Sequence, residues 1–188
     1  MKPKLYVFGF DNTIVNSEDL IVELTAKVLN INLTKEFWYK YLHNVTDPDT
    51  ETRILEDKFG VKYTPELWQQ MGKEFVETLC KKEPIESVFK LLKENISQSY
   101  ILTGSPNFIV QKYLKEKGID IPEDKIFAGV YNGSGEKEKL LEKWKTEFDI
   151  IYIDDDAALV RNASIIVKEV YLVKQEYNKD SWKEFNTL

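Results

Sequence analysis

The chain has 188 residues, 43% hydrophobic and 31% charged, with 26 basic against 32 acidic side chains and a net charge of −6. Its length fits one domain of ~150 residues or one with a sizeable insert, its composition argues against disorder, and its acidic balance disfavours a binder of nucleic-acid backbone, which needs a basic face. One cysteine, Cys80, and one histidine, His43, exclude an internal disulfide, a multi-cysteine zinc site and any two-histidine scheme.

Residues 4–10 are short, apolar and rich in aromatic and β-branched types, which predicts a buried strand ending at Asp11-Asn12-Thr13. No signal peptide is expected there, because an acid follows only six mostly apolar residues, and no run approaches the ~18 apolar residues of a membrane span. The expectation is a soluble, cytoplasmic protein of a reducing compartment. Ser17 is placed to cap a helix with Glu18 and Asp19 in its first turn and Leu20, Ile21, Leu24 and Val28 on its apolar face. Thr34 opens a second helix with Phe37, Trp38 and Tyr41 on one side. A turn at Asp47-Pro48-Asp49 precedes a third, which stops at Gly60. Thr64-Pro65 starts a fourth, with Leu67, Trp68, Met71, Phe75 and Leu79 inward. Residues 16–81 therefore form an all-helical segment.

Beyond Pro84 strands and helices alternate. A helix face at Ile85, Val88, Phe89 and Leu92 leads to a strand over 99–102. A helix from 105–106 ends at Gly118, a short strand covers 126–128, and Gly133-Ser134-Gly135 is a loop. A helix over 136–145 turns Leu140, Leu141 and Trp144 inward. An apolar strand over 150–153 enters Asp154-Asp155-Asp156, and Asp156 caps a helix over 157–162. A last strand lies near 170–173. Alternation of this kind predicts βαβ units and a parallel sheet that includes the first strand. The fold class is α/β: a Rossmann-like core over 1–15 and 82–188, with the helical segment inserted after its first strand.

Three of these strands end in polar groups at the edge where such sheets bind ligands: Asp11 with Thr13, Thr103-Gly104-Ser105, and Asp154-Asp155. A hydroxyl just before a helix N-terminus suits a phosphate. Lys137 or Lys139 at the start of the next helix can balance the charge, and facing carboxylates invite a divalent cation. Most lysines between 137 and 145 are a solvated helix face, and His43 and Cys80, both in the insert, are expected to do no chemistry.

These stretches resemble the haloacid dehalogenase (HAD) superfamily, mostly magnesium-dependent phosphatases. Val7-Phe8-Gly9-Phe10-Asp11-Asn12-Thr13 is similar to its Asp-x-Asp-x-Thr motif, and Tyr100-Ile101-Leu102-Thr103-Gly104 to its hydroxyl-ending strand. Lys137 is similar to its lysine, and Ile151-Tyr152-Ile153-Asp154-Asp155 to its acid-ending strand. The helical segment stands where that family carries a type I cap. The resemblance implies that Asp11 is the general acid/base, that Thr103, Gly104 and Lys137 hold phosphate, and that Asp11 (through its carbonyl), Asp154 and Asp155 hold a weakly bound Mg2+. It also exposes a departure. The family's attacking aspartate falls at Gly9, in a register preferred over one with Asp11 as nucleophile, because Asp11 and Thr13 then both match. Asn12 stands where the family often has glycine, and asparagine tolerates left-handed backbone. Whether the chain is an enzyme stays open. The expected function is a hydrolase of phosphatase lineage acting on or binding a small phosphorylated molecule, with impaired or no turnover. The alternatives are a non-catalytic phospho-ligand-binding or regulatory module, and residual hydrolysis with Asp11 as base on a water. Glycine at 9 is further expected to leave room for an introduced carboxylate.

Overall fold

The computed structural model describes residues 2–188 except 44, 46, 47, 63 and 133, with the backbone alone of Pro48, Pro65 and Trp68. The expected turn residue Asp47, the inward side chain of Trp68 and the loop residue Gly133 lie outside the described residues.

The chain divides into two compact units, Met1–Asn16 with Glu83–Leu188, and Ser17–Lys82. The first begins with β1 (Lys4–Phe8). The second holds four helices, α1 (Glu18–Leu29), α2 (Lys35–Tyr41), α3 (Pro48–Phe59) and α4 (Pro65–Leu79). The first unit then resumes with α5 (Glu86–Glu94), β2 (Ser99–Leu102), α6 (Asn107–Glu116), β3 (Ile126–Phe127), α7 (Glu136–Trp144), β4 (Asp149–Asp154), α8 (Ala157–Ser164), β5 (Glu169–Leu172) and β6 (Asn186–Thr187).

The helical unit is packed around Val22, Leu29, Leu33, Trp38, Leu42 and Leu55. Thr34 and Thr64 cap α2 and α4 by accepting from the N–H groups of Phe37 and Leu67, as their positions predict. Ser17 does not cap α1. Its backbone is already helical (φ −99°, ψ −29°), so its hydroxyl makes no capping bond. Asn30 ends α1 in the left-handed conformation.

In the α/β unit the strands form one six-stranded sheet in the order β3-β2-β1-β4-β5-β6, every pair parallel. β1 is central, with Phe8 opposite Ile101 on one side and Ile153 on the other. Burial on both faces explains its unbroken apolar run. Leu5, Val7, Leu102, Ile150 and Tyr152 pack with Leu141, Trp144, Leu159 and Val160 of α7 and α8. Phe10 meets Tyr113 of α6 edge-on at 5.6 Å. Three differences from the sequence expectation concern ends. β1 stops at Phe8 rather than residue 10, because Phe10 O turns inward to accept from Ile14 N (2.8 Å). α8 runs on to Ser164. β6 and the 3-10 segment Glu176–Ser181 before it follow a stretch that carries no apolar period. No helix among the described residues is long and apolar enough to cross a membrane.

Candidate functional site

The carboxyl ends of β1, β2 and β4 are neighbours in the sheet, so their terminal polar residues share one edge. After β1 the chain turns tightly. Gly9 N still donates to Ile153 O (2.8 Å), and Asn12 N closes the loop on Val15 O (2.7 Å). Asn12 holds φ +50°, the left-handed geometry its residue type suggests. Thr13 is brought back to the sheet, where its hydroxyl donates to Asp155 Oδ1 (2.6 Å) and accepts from Asp155 N (3.2 Å). Gly9 corrects one expectation. Its φ is not in the left-handed region, so the backbone admits other residues, but the space is filled. A Cβ there would stand 2.7 Å from Thr13 Oγ1 and 2.8 Å from Asp154 Oδ2. Any side chain at 9 would therefore have to displace these groups.

At the end of β2, Thr103 Oγ1 accepts from Ser105 N (3.1 Å) and lies 3.4 Å from Asp11 Oδ2. Ser105 makes the shorter contact, its hydroxyl donating to the same Asp11 oxygen at 2.6 Å. The sequence placed Ser105 at this edge and as a helix opener, without its bond to Asp11; its spacing of two from Thr103 is the signal that the two reach the same carboxylate. The loop after β3 is tied here too, by Val130 N to Thr103 O (2.9 Å) and Gly129 N to Ser105 O (3.2 Å). Tyr131 packs against Gly104, where a Cβ would come within 3.2 Å of its ring.

At the end of β4 the acids are buried: Asp154 is 3% exposed and Asp155 7%. Lys137, 5% exposed in the first turn of α7, faces Asp154 with Nζ 3.6 Å from Oδ2, whereas Lys139 is exposed. Of the two candidate lysines, Lys137 is the one brought beside the acids. Asp154 also accepts from the Tyr152 phenol (2.7 Å) and from Asp156 N (3.0 Å). Burial, then the adjacent Asp154 charge, pushes the Asp155 carboxyl up to about 8, against the opposing pull of bonds from Thr13 and Tyr177. Burial first, and the Asp154 charge second, also raises the Tyr152 phenol well above its ordinary value. Asp156 caps α8, accepting from Ala158 N (2.8 Å) and Leu159 N (3.2 Å).

The feature with no counterpart in the sequence reading is the C-terminal segment. Tyr177 donates its phenol to Asp155 Oδ2. The buried Asn178 amide donates to Asp155 O (2.7 Å) and Val173 O (2.8 Å), and Asn178 is itself fixed by Trp182 Nε1 (2.7 Å). Gln175 donates to Asn12 O (2.7 Å) and Asn16 Oδ1 (2.9 Å).

Among the described residues no three His, Cys, Asp or Glu side chains gather as a metal cluster. The Asp11 carboxylate bonds with Ser105 and Thr103 rather than joining Asp154 and Asp155. What remains for a cation is the paired acids and the Asp11 backbone carbonyl. Two adjacent buried carboxylates suit a hard cation, and one or two carboxylates with waters and phosphate oxygens are what magnesium takes. These oxygen donors are of the type that magnesium takes.

No curated protein matches the chain. Among solved structures, one named as a predicted phosphoglycolate phosphatase from Haemophilus somnus 129pt aligns with a TM-score of 0.70 at 16% identity, over 100% of this chain and 94% of that one. The HAD-hydrolase YfnB of Bacillus subtilis, solved bound to magnesium, aligns at 0.61 and 17% identity over 92% and 88%. A HAD family hydrolase from Deinococcus radiodurans R1, with bound phosphate and sodium, aligns at 0.59 and 15% identity over 92% and 81%. At such identities the likeness is one of fold. Residues 6–158 match the family described as haloacid dehalogenase-like hydrolase, well over half of the chain, and this protein belongs to that family.

Proposed function

We propose that this chain is a phosphatase-lineage protein that holds the phosphoryl group of a small molecule at the carboxyl edge of its sheet and turns it over slowly or not at all. The phosphate oxygens are received by the Thr103 hydroxyl, the Gly104 backbone N–H and the Lys137 ammonium. The start of α6 adds the favourable end of its dipole. Asp11, held by Ser105 and Thr103, is the group that exchanges a proton with the leaving oxygen. Asp154, Asp155 and the Asp11 carbonyl would hold a weakly bound Mg2+, which when present would neutralise charge on the phosphoryl oxygens. Phosphate should therefore bind better with the cation than without it. The chain's helical unit stands in the sequence where the family inserts its cap, and it is the part we assign to choice of substrate. The lone Cys80 suits a reducing, cytoplasmic setting.

The observation that carries this reading is the contrast at one edge: acid, hydroxyl and buried lysine are present, while the attacking position is Gly9 with its space filled. Loss of a nucleophile from an otherwise organised site costs about six decades in rate in a well-measured protease. The same filled space favours a second reading, a module that binds a phosphorylated ligand without reaction. Calorimetry with inorganic phosphate and orthovanadate tests the shared claim. The parent protein should bind both anions, and Thr103→Val, which keeps the volume and removes the hydroxyl, should weaken binding about tenfold, the worth of one hydrogen bond to a charged group. Absence of binding, or binding indifferent to Thr103→Val, would contradict it.

A further inference from the structure

The C-terminal segment 175–182 lies outside every motif that identifies the family, and it ends beyond the family match at residue 158. Yet it touches two of the three strand ends that make the site. Gln175 holds the Asn12 carbonyl in the loop that carries Asp11 and Thr13. Tyr177 and Asn178 hold Asp155 from its side chain and from its backbone, respectively. The segment is braced within itself: Gln175 N donates to Asn178 Oδ1 (3.0 Å), the same oxygen that accepts from Trp182 Nε1. Its anchor is Asn178, whose amide spans Asp155 O and Val173 O and so ties the segment to the ends of β4 and β5.

Asp155 is consequently clamped on both oxygens. Thr13 donates to Oδ1 and Tyr177 to Oδ2, from opposite ends of the chain. Two donors on two oxygens fix the plane of a carboxylate, which a single donor does not. Each oxygen keeps a further lone pair, so a clamped carboxylate remains able to ligate. Hydrogen bonds to a ligating group orient it, and their removal typically weakens metal binding by about 10–100-fold. A phenol on a half-buried 3-10 turn is an expensive way to fill space next to two acids, since its ring brings a hydroxyl that must be satisfied. Here the hydroxyl is satisfied by Asp155.

We infer that Tyr177 is a positioning residue that, with Thr13, locks the Asp155 carboxylate in the orientation that receives a divalent cation beside a bound phosphoryl group. The inference rests on the cation part of the proposed function and goes beyond it by assigning a role to a segment that no motif reaches.

The test is Tyr177→Phe, which removes one oxygen and keeps the ring. Mn2+, an EPR-visible stand-in for magnesium, is titrated at a fixed saturating level of inorganic phosphate into the parent, Tyr177→Phe and Tyr171→Phe. Tyr171 also donates its phenol to a carboxylate, Glu169 (2.5 Å), but on β5 away from the acids, and it serves as the control. Expected are a dissociation constant for Mn2+ raised about 10–100-fold, or binding lost from the measured range, in Tyr177→Phe alone. Inorganic phosphate affinity without cation should stay close to the parent's, and the melting temperature should fall by only a few degrees, as expected for one hydrogen bond lost from a buried acid. A purely structural Tyr177 would lower the melting temperature by the same amount and leave Mn2+ affinity unchanged in the folded protein, which overturns the inference. Equal or tighter Mn2+ binding in Tyr177→Phe overturns it too. If the parent binds no Mn2+, the inference falls with the cation part of the reading. The phosphate titration in the same experiment then shows separately whether the anion site stands.

Discussion

The two units bury acids in different ways. In the helical unit Glu18 receives the Trp38 indole N–H at 2.7 Å and the His43 Nδ1 at 2.5 Å, and Glu51 is pushed up to about 7 by burial. Each of these acids is neutralised locally, by partners or by keeping its proton. In the α/β unit Asp154 and Asp155 stand next to each other, both buried, with Lys137 as the cation paired to Asp154. Hydroxyls, phenols and the Asp156 N–H supply further hydrogen bonds to them. Stability alone would not select two adjacent buried carboxylates, because each disfavours the charge of the other. A site that must attract a cation and a phosphoryl group does select them, and perturbed acids of this kind gather where ligands bind. The difference teaches where the molecule tolerates electrostatic strain: at the sheet edge, beside Gly9.

The largest expected effect comes from removing the lysine. Lys137→Met should cost about 3–5 kcal/mol in urea unfolding, because it leaves Asp154 buried without its counter-charge. A loss below about 1 kcal/mol would show that Asp154 does not depend on Lys137 as its counter-charge, and the contrast between the units would collapse. Thr13→Val keeps volume and deletes the hydroxyl that serves both Asp155 Oδ1 and Asp155 N; unfolding should register a loss of about 1–3 kcal/mol. Asp155→Asn runs the other way. In cation-free buffer near pH 8 it should stabilise by about 1 kcal/mol, by relieving the repulsion with Asp154.

The sign of the pH dependence follows from the same shift. A folded carboxyl at about 8, against 3.8 when unfolded, binds a proton in the folded state over that window, so parent stability should fall as pH rises from about 4 to 8. In Asp155→Asn that slope should flatten. The smallest effect belongs to the helical unit. Glu51, at about 7 against 4.5, makes its stability fall between those values. Native-state hydrogen exchange in α3 should lose that slope in Glu51→Gln while the sheet amides keep theirs. A sheet response equal to that of α3 would erase the distinction between the units.

Much of the frame was legible because it depends on near neighbours. Apolar runs that stop at acids marked β1 and β4, and Thr34, Thr64 and Asp156 cap as their spacing predicts. Asn12 takes the left-handed turn that its side chain allows. Lys137 and Lys139 were not separable until α7 was set against the sheet and buried one of them. What escaped is what depends on distant chain. Ser105 reaches Asp11 across 94 positions, and Tyr177 reaches Asp155 from a polar stretch with no period. The expected room at Gly9 fails in part for the same reason: Asp154, one of the groups that fill it, comes from β4, while Thr13 is folded back by the turn that follows β1.

The central claim is that this site keeps its binding groups and lacks its attacking one, and Gly9→Asp tests it most directly. The backbone at 9 admits an aspartate, but Thr13 Oγ1 and Asp154 Oδ2 must retreat by several tenths of an ångström, at a cost of about 1–3 kcal/mol in folding. Hydrolysis of an aryl phosphate near neutral pH is compared for the parent, Gly9→Asp, and Gly9→Asp with Asp11→Asn. The account predicts turnover at background in the parent, Mg2+-dependent hydrolysis in Gly9→Asp, and its loss when Asp11 can no longer pass the proton. Phosphatase-like rates in the parent, or a folded, cation-binding Gly9→Asp that stays inactive, would contradict it.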